Sequence, residues 1–173
     1  KKYEKEGGPG AADCAQLIRH YSSMPAVDLK NFVAWLFFNL YTGNNDGHAK
    51  NLSIYRAPGG GIRLTPFYDL MCTRIYPGLS REFAFAIGGE VLPGNLTRSH
   101  VQQMAQSMGM RPAFVLGLAA DMAQRVPAAM EAAITSVQAD LSPGAQTLAL
   151  RLQSFVRTTT QQLSKRLLSA SQK

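Results

Sequence analysis

The chain has 173 residues, with 18 Lys and Arg against 11 Asp and Glu, a net charge of +7 and a pI near 9.7. A hydrophobic content of 46% against 17% charged residues excludes a disordered chain and supplies core material for a single domain spanning residues 1–173. No apolar run reaches transmembrane length and no signal-peptide pattern is present, so the expected location is the cytoplasm, with no membrane partner.

Only two cysteines occur, Cys14 and Cys72, without metal-type spacing. They read as small buried side chains in a reducing compartment. The basic excess concentrates after Leu141, where Arg151, Arg157, Lys165, Arg166 and Lys173 meet no acidic residue. Such a run is either the solvated face of an amphipathic helix or a surface for an anionic partner. The opening Lys1-Lys2-Tyr3-Glu4 has no initiator methionine, which suggests a piece of a longer protein.

In chain order, residues 1–10 are polar and end in Gly7-Gly8-Pro9-Gly10. This is a turn signal rather than a phosphate loop, because no strand precedes it and no Lys-Ser/Thr follows. Ala11 to Tyr21 reads as a helix with Ala15, Leu17, Ile18 and Tyr21 on its apolar face. Asp28 is an N-cap candidate for a helix from Leu29 to Tyr41, apolar on almost every side and therefore central to the core, with Gly43 as its left-handed cap. Leu52–Tyr55 and Ile62–Thr65 alternate apolar and polar around Pro58-Gly59-Gly60-Gly61, a hairpin signal. Residues 70–82 read as irregular, and Phe83, Phe85 and Ile87 as a short extended segment. Helices are expected from the Thr97 cap to about Met108, from Arg111 to Arg125, from Pro127 to about Gln138, and from Ser142-Pro143 to about Ser169. Leu148, Leu152, Phe155, Val156, Leu163, Leu167 and Leu168 supply the apolar face of the last helix.

The stretch Thr42–Asp69 carries the chemistry. A polar loop leaves the end of the rigid apolar helix, and a hairpin returns the chain to its starting point. Asp46, Asn51 and Asp69 are thereby expected in one small volume. In kinase-type phosphoryl transfer an aspartate accepts the proton of the attacking hydroxyl. An asparagine five residues on and a later aspartate hold Mg²⁺ on the nucleotide phosphates. Asp46 fits the base, Asn51 and Asp69 the metal ligands, and Lys50 a supporting point charge. Alone, D-x-x-x-x-N is weak, and Asn44, Asn45 and Asp46 are also good turn formers. His48 reads as a packed loop residue, since no second His or Cys accompanies it for zinc. Phe67 and Tyr68 read as core.

The runs G-N-N-D-G-H-A-K-N-L-S at 43–53, R-L-T-P-F-Y-D-L at 63–70, K-Y-E-K-E-G-G-P-G at 2–10 and F-V-L-G-L-A-A-D-M-A-Q-R-V-P-A-A-M at 114–130 occur in order. Together they resemble the C-terminal part of the HipA family of bacterial toxin serine/threonine kinases. The resemblance implies a mainly α fold with a small β-hairpin, similar to the C-terminal lobe of protein kinases. It implies ATP as co-substrate and Mg²⁺ as cofactor, with Asp46 as catalytic aspartate, Asn51 and Asp69 as metal-binding residues, and His48 and Lys50 in support. It further implies a serine-bearing protein substrate (an aminoacyl-tRNA synthetase in the best-known case) and a small helix-turn-helix antitoxin, HipB-like, that contacts DNA. Relative to ordinary protein kinases, Asn44-Asn45-Asp46 replaces H-R-D and Tyr68-Asp69-Leu70 replaces D-F-G. No strand-rich lobe, Gly-rich loop or strand lysine is visible, so the expectation is a C-terminal kinase lobe with weak nucleotide binding and no useful turnover by itself. The alternatives are an interaction lobe that docks an antitoxin and operator DNA without catalysis, and metal-dependent hydrolysis by the same carboxylates.

Overall fold

The computed structural model describes residues 1–169, so Lys173 of the basic run lies outside the described residues. Five helices carry the fold: α1 Ala11–Tyr21, α2 Pro25–Thr42, α3 Arg98–Ser107, α4 Pro112–Val137 and α5 Pro143–Leu168. One antiparallel hairpin, β1 Ile54–Arg56 and β2 Ile62–Leu64, lies between α2 and α3 in the chain. The fold is the mainly helical one with a small hairpin that the sequence indicated.

Helix α2 is the strut, as its all-round apolar pattern requires. Phe32, Val33, Leu36, Phe37, Leu40 and Tyr41 are all buried. It packs against α1, α4 and α5, and the Tyr41 hydroxyl donates to the Ala119 carbonyl of α4 at 3.0 Å. Phe85 meets Phe32 and Trp35 edge-on, while Phe67 stacks on Trp35 with ring centroids 5.7 Å apart. The extended segment with Phe83, Phe85 and Ile87 therefore closes one side of the core.

Several expectations are corrected. Helix α2 starts at Pro25, not Leu29, because proline at its first position is pre-set for helix. Asp28 then lies within the first turn of the helix rather than at its cap, only 1% exposed. The expected break at Pro127 does not occur: α4 runs through it. Proline there removes one backbone hydrogen bond, but Met122, Ala123, Val126 and Met130 anchor the helix to the core on both sides. On α1, Ala15 and Ile18 are buried but Leu17 and Tyr21 are exposed, and Leu17 lines a surface cleft with Leu52, Ile54 and Leu64. On α5, Val156, Leu163 and Leu167 are buried while Leu148 is exposed. Cys14 and Cys72 are free thiols and only half-buried; burial pushes the Cys14 thiol up to about 12. Tyr68 is exposed rather than core, and its hydroxyl pairs with that of Ser53 at 2.8 Å. Among the described residues no helix is long and apolar enough to cross a membrane.

Candidate active site

The site begins at the C-terminus of α2. Gly43 ends the helix with φ of 72°, and a Cβ there would lie 2.5 Å from Cε1 of Phe155, so glycine is needed for both conformation and space. The loop after it is clamped from two sides. On the helix side, buried Asn39 donates to the Trp35 carbonyl at 3.0 Å and accepts from Asn44 Nδ2 at 2.9 Å. On the other side, the Thr73 hydroxyl donates to the Gly43 carbonyl at 3.1 Å and accepts from the Asn45 amide at 2.9 Å. Asn45 Nδ2 donates to the Ser80 carbonyl at 3.1 Å. Asn44 and Asn45 are thus tethers, more than turn formers.

The hairpin then returns the chain to the loop. Ile54 pairs with Leu64, Tyr55 with Arg63 and Arg56 with Ile62, and the Thr65 amide extends the ladder to the Ser53 carbonyl at 2.8 Å. Asp28 fixes this hairpin to α2. Its carboxylate accepts from Arg63 Nη2 at 2.8 Å, from Arg63 Nε at 3.2 and 3.1 Å, from the Leu64 amide at 3.0 Å and from the Ser22 hydroxyl at 2.6 Å. Burial pushes the Asp28 carboxyl up, but these donors together outweigh it and hold the carboxyl below its ordinary value.

Asn51 and Asp69 consequently meet. Asn51 Nδ2 donates to Asp69 Oδ2 at 2.6 Å, and Asn51 Oδ1 accepts from the His48 amide at 3.0 Å. Asp69 has φ of 56°, the left-handed region that non-glycine residues rarely adopt. Asp46 joins them through Asn44, whose Nδ2 donates to the Asp69 carbonyl at 3.1 Å and whose Oδ1 accepts from the Asp46 amide at 3.3 Å. His48 is buried, with Nδ1 lacking a hydrogen-bond partner. Burial, and then the nearby Lys2 charge, lower its proton affinity below the ordinary histidine value. The Lys50 side chain is exposed, and no described contact joins it to Asp46, Asn51 or Asp69; its carbonyl accepts from the Tyr68 hydroxyl at 3.2 Å.

The contact that sequence reasoning missed comes from residues 1–10. Lys2 Nζ lies 2.8 Å from Asp46 Oδ1 and 3.0 Å from Oδ2, and the Tyr3 hydroxyl donates to Oδ1 at 2.6 Å. Burial pushes the Asp46 carboxyl up, but Lys2 and Tyr3 outweigh it and keep the carboxyl ionised below its ordinary value. The K-Y-E-K-E run stood out as a family feature, but nothing in its spacing tied it to Asp46, 43 residues away from Tyr3.

The donor set suits Mg²⁺. An amide oxygen and a carboxylate are hard oxygen ligands, and Mg²⁺ needs only one or two from protein because it keeps waters. Among the described residues no group of three His, Cys, Asp or Glu could hold a metal, so a site built wholly from such residues does not fit. Asn51 and Asp69 would hold the ion, which when bound neutralises charge on phosphate oxygens.

A model of HipA-like C-terminal domains matches residues 1–130. The chain belongs to this family. Among curated relatives of this HipA-like chain, Y4mE of Sinorhizobium fredii, a protein named as a kinase, is 38% identical over 109 residues, covering 63% of this chain and 26% of that protein. The serine/threonine-protein kinase toxin HipA of Shewanella oneidensis is 29% identical over 140 residues, covering 75% of this chain and 32% of that protein. The HipA-like chain therefore spans a third or less of the length of these relatives. Its fold matches that of Shewanella oneidensis HipA, solved in complex with HipB and operator DNA, with a TM-score of 0.80 at 23% identity over 92% of this chain and 37% of that one. The lobe shares the protein-kinase-like fold of HipA.

Proposed function

We propose that this lobe is the catalytic lobe of an ATP- and Mg²⁺-dependent serine/threonine protein kinase of a bacterial toxin–antitoxin system. Asp46 accepts the proton of a seryl hydroxyl on a protein target, and Asn51 and Asp69 hold Mg²⁺. The observation that carries this reading is the Asn51–Asp69 hydrogen bond beside an ionised, oriented Asp46. A lowered proton affinity suits the role, because phosphoryl transfer is largely dissociative and needs an oriented acceptor more than a strong base. The complete protein carrying this lobe then works in the cytoplasm. Among the described residues the candidate base and metal ligands are present without a strand-rich cover over the nucleotide, so the lobe alone is expected to turn over poorly.

The test is phosphoproteomics on cells expressing the complete protein. New phosphoserine on a defined protein, absent with Asp69→Ala, supports the assignment; identical phosphoproteomes count against it.

Association with a small helix-turn-helix antitoxin, and through it with operator DNA, is a second part of the proposal. It is favoured by the net charge of +7 and by the matched HipA having been solved with HipB and operator DNA. Co-purification of the complete protein with the product of an adjacent small gene tests it; failure to co-purify argues for a kinase without that partner.

A further inference from the structure

We infer that Lys2 is the cation that stabilises the phosphoryl group in transit beside Asp46, and that Tyr3 is the residue that orients the Asp46 carboxylate. This rests on the kinase reading of Asp46 and goes beyond it, because it assigns the charge at the base to a segment far away in sequence.

The segment is built into the fold rather than left as a loose end. The Tyr3 carbonyl accepts from the Glu6 and Gly8 amides, the Glu4 amide donates to the Ala84 carbonyl, and the Glu4 carboxylate accepts from the Ala86 amide at 2.8 Å. Lys5 pairs with Glu82. The Lys2 ammonium also sits 5.1 Å from the Tyr3 ring centroid, and that ring meets His48 edge-on. Lys2 and Tyr3 thus reach Asp46 from a segment anchored on residues 82–86.

Among the described residues Lys2 is the one cation in ion-pair distance of Asp46. No described ion pair or hydrogen bond joins the His48 ring or the exposed Lys50 side chain to Asp46. The other charged or titratable groups facing this volume are Tyr3, the paired Lys5 and Glu82, and Glu6. An ammonium has three donors, and one is spent on Asp46 Oδ2. The Lys2 side chain is 40% exposed, which leaves its remaining donors room for a further acceptor. A cleft of about 290 Å³ lies beside the pair, lined by Tyr3, Asp46, Met71, Thr73, Leu79 and Phe83, and admits an acceptor side chain to the carboxylate.

In the transfer step the seryl Oγ–phosphorus bond forms as the bond from the γ-phosphorus to the bridging oxygen breaks. A nucleoside diphosphate leaves, and the hydroxyl proton passes to Asp46. Lys2 turns an N–H from the carboxylate toward a phosphoryl oxygen, which frees the Asp46 lone pair that takes the proton. Preorganised donors of this kind contribute roughly 100-fold or more in rate.

Two measurements on the complete protein test this. The first needs no nucleotide: ¹³C titration of side-chain-labelled aspartate, with the Asp46 signal identified by its loss in Asp46→Asn. Lys2→Met and Tyr3→Phe should each raise the proton affinity of Asp46 several-fold, while Lys2→Arg stays close to wild type. The second is phosphotransfer. Lys2→Met should lower kcat roughly 100-fold with KM for ATP nearly unchanged, Lys2→Arg should recover most of it, and Tyr3→Phe should fall roughly tenfold. An unmoved Asp46 titration, or a kcat in Lys2→Met equal to or above wild type while Asp46→Asn is inactive, overturns the role of Lys2 and leaves the base intact. Full activity in Asp46→Asn overturns the base itself. If Lys2→Met fails to fold, Lys2→Arg and Tyr3→Phe still decide by the same readouts.

Discussion

Asn51 donates its amide to the Asp69 carboxylate at 2.6 Å, joining the end of the loop to the residue beyond the hairpin. One Asp69 oxygen is thereby fixed, and the residue is exposed in a strained left-handed conformation. Strain of that kind, of order 1–3 kcal/mol, persists where surrounding structure imposes it. Asp69→Asn in the complete protein is expected to weaken Mg²⁺-dependent nucleotide binding about 10- to 100-fold by calorimetry, the range seen when groups around a metal are altered. The melting temperature should stay near wild type, since the side chain is not in the core.

Asp28 supports the same geometry from beneath. Asp28→Ala leaves Arg63, Ser22 and the Leu64 amide without their acceptor. Removing the buried partner of such an ion pair costs about 3 kcal/mol, measurable by urea unfolding. The pH dependence has a definite sign. The folded carboxyl lies below its ordinary value of 3.8, so its contribution is fully present above that value and is lost as pH falls through the lower folded value. Asp28→Asn should flatten the acid limb of the stability curve; an unchanged limb would remove Asp28 as its source.

Asn39 is buried in α2 and holds Asn44, which in turn holds both the Asp46 amide and the Asp69 carbonyl. Asn39→Ala leaves buried polar groups unpaired and is expected to cost about 2 kcal/mol. Phosphotransfer should fall more steeply than that loss of stability predicts at a temperature where the variant is fully folded, because the loop loses its mount. Equal activity per folded molecule would show that the Thr73 side alone positions Asp46.

The arginines of α5 divide into two kinds. Arg151 donates to the Ile75 carbonyl at 2.7 Å, and Arg166 donates to the Gly94 and Pro93 carbonyls, so both tie loops to the helix. Arg157 is exposed and makes no described hydrogen bond or ion pair. Arg151→Ala and Arg166→Ala should lower the melting temperature. Arg157→Glu should leave stability alone and report on any anionic partner through the salt dependence of DNA affinity. An unchanged salt slope in Arg157→Glu would exclude that face as a DNA contact.

Much of this was legible from residue patterns because the chemistry there is local. The all-apolar α2 could only be a core strut, Gly43 could only be a left-handed cap, and the glycine turn between alternating strands could only bring Asn51 back toward Asp69. The misreadings share a different cause. Asp28 has the composition of a cap, and its role depends on Arg63, 35 residues away. Pro127 breaks helices in isolation, and packing on both sides carries α4 through it. Lys2 and Tyr3 lie in a run whose local signal is only a turn, while their function comes from a contact with Asp46 that no periodicity records.

The central claim is that Asp46 accepts the proton when a phosphoryl group moves to serine. Single-turnover transfer from labelled ATP by the complete protein, wild type against Asp46→Asn, addresses it most directly. The account predicts a loss of roughly 1,000-fold or more with ATP affinity little changed, the behaviour of a group that acts in the transition state. A transfer rate within a few-fold of wild type would contradict it.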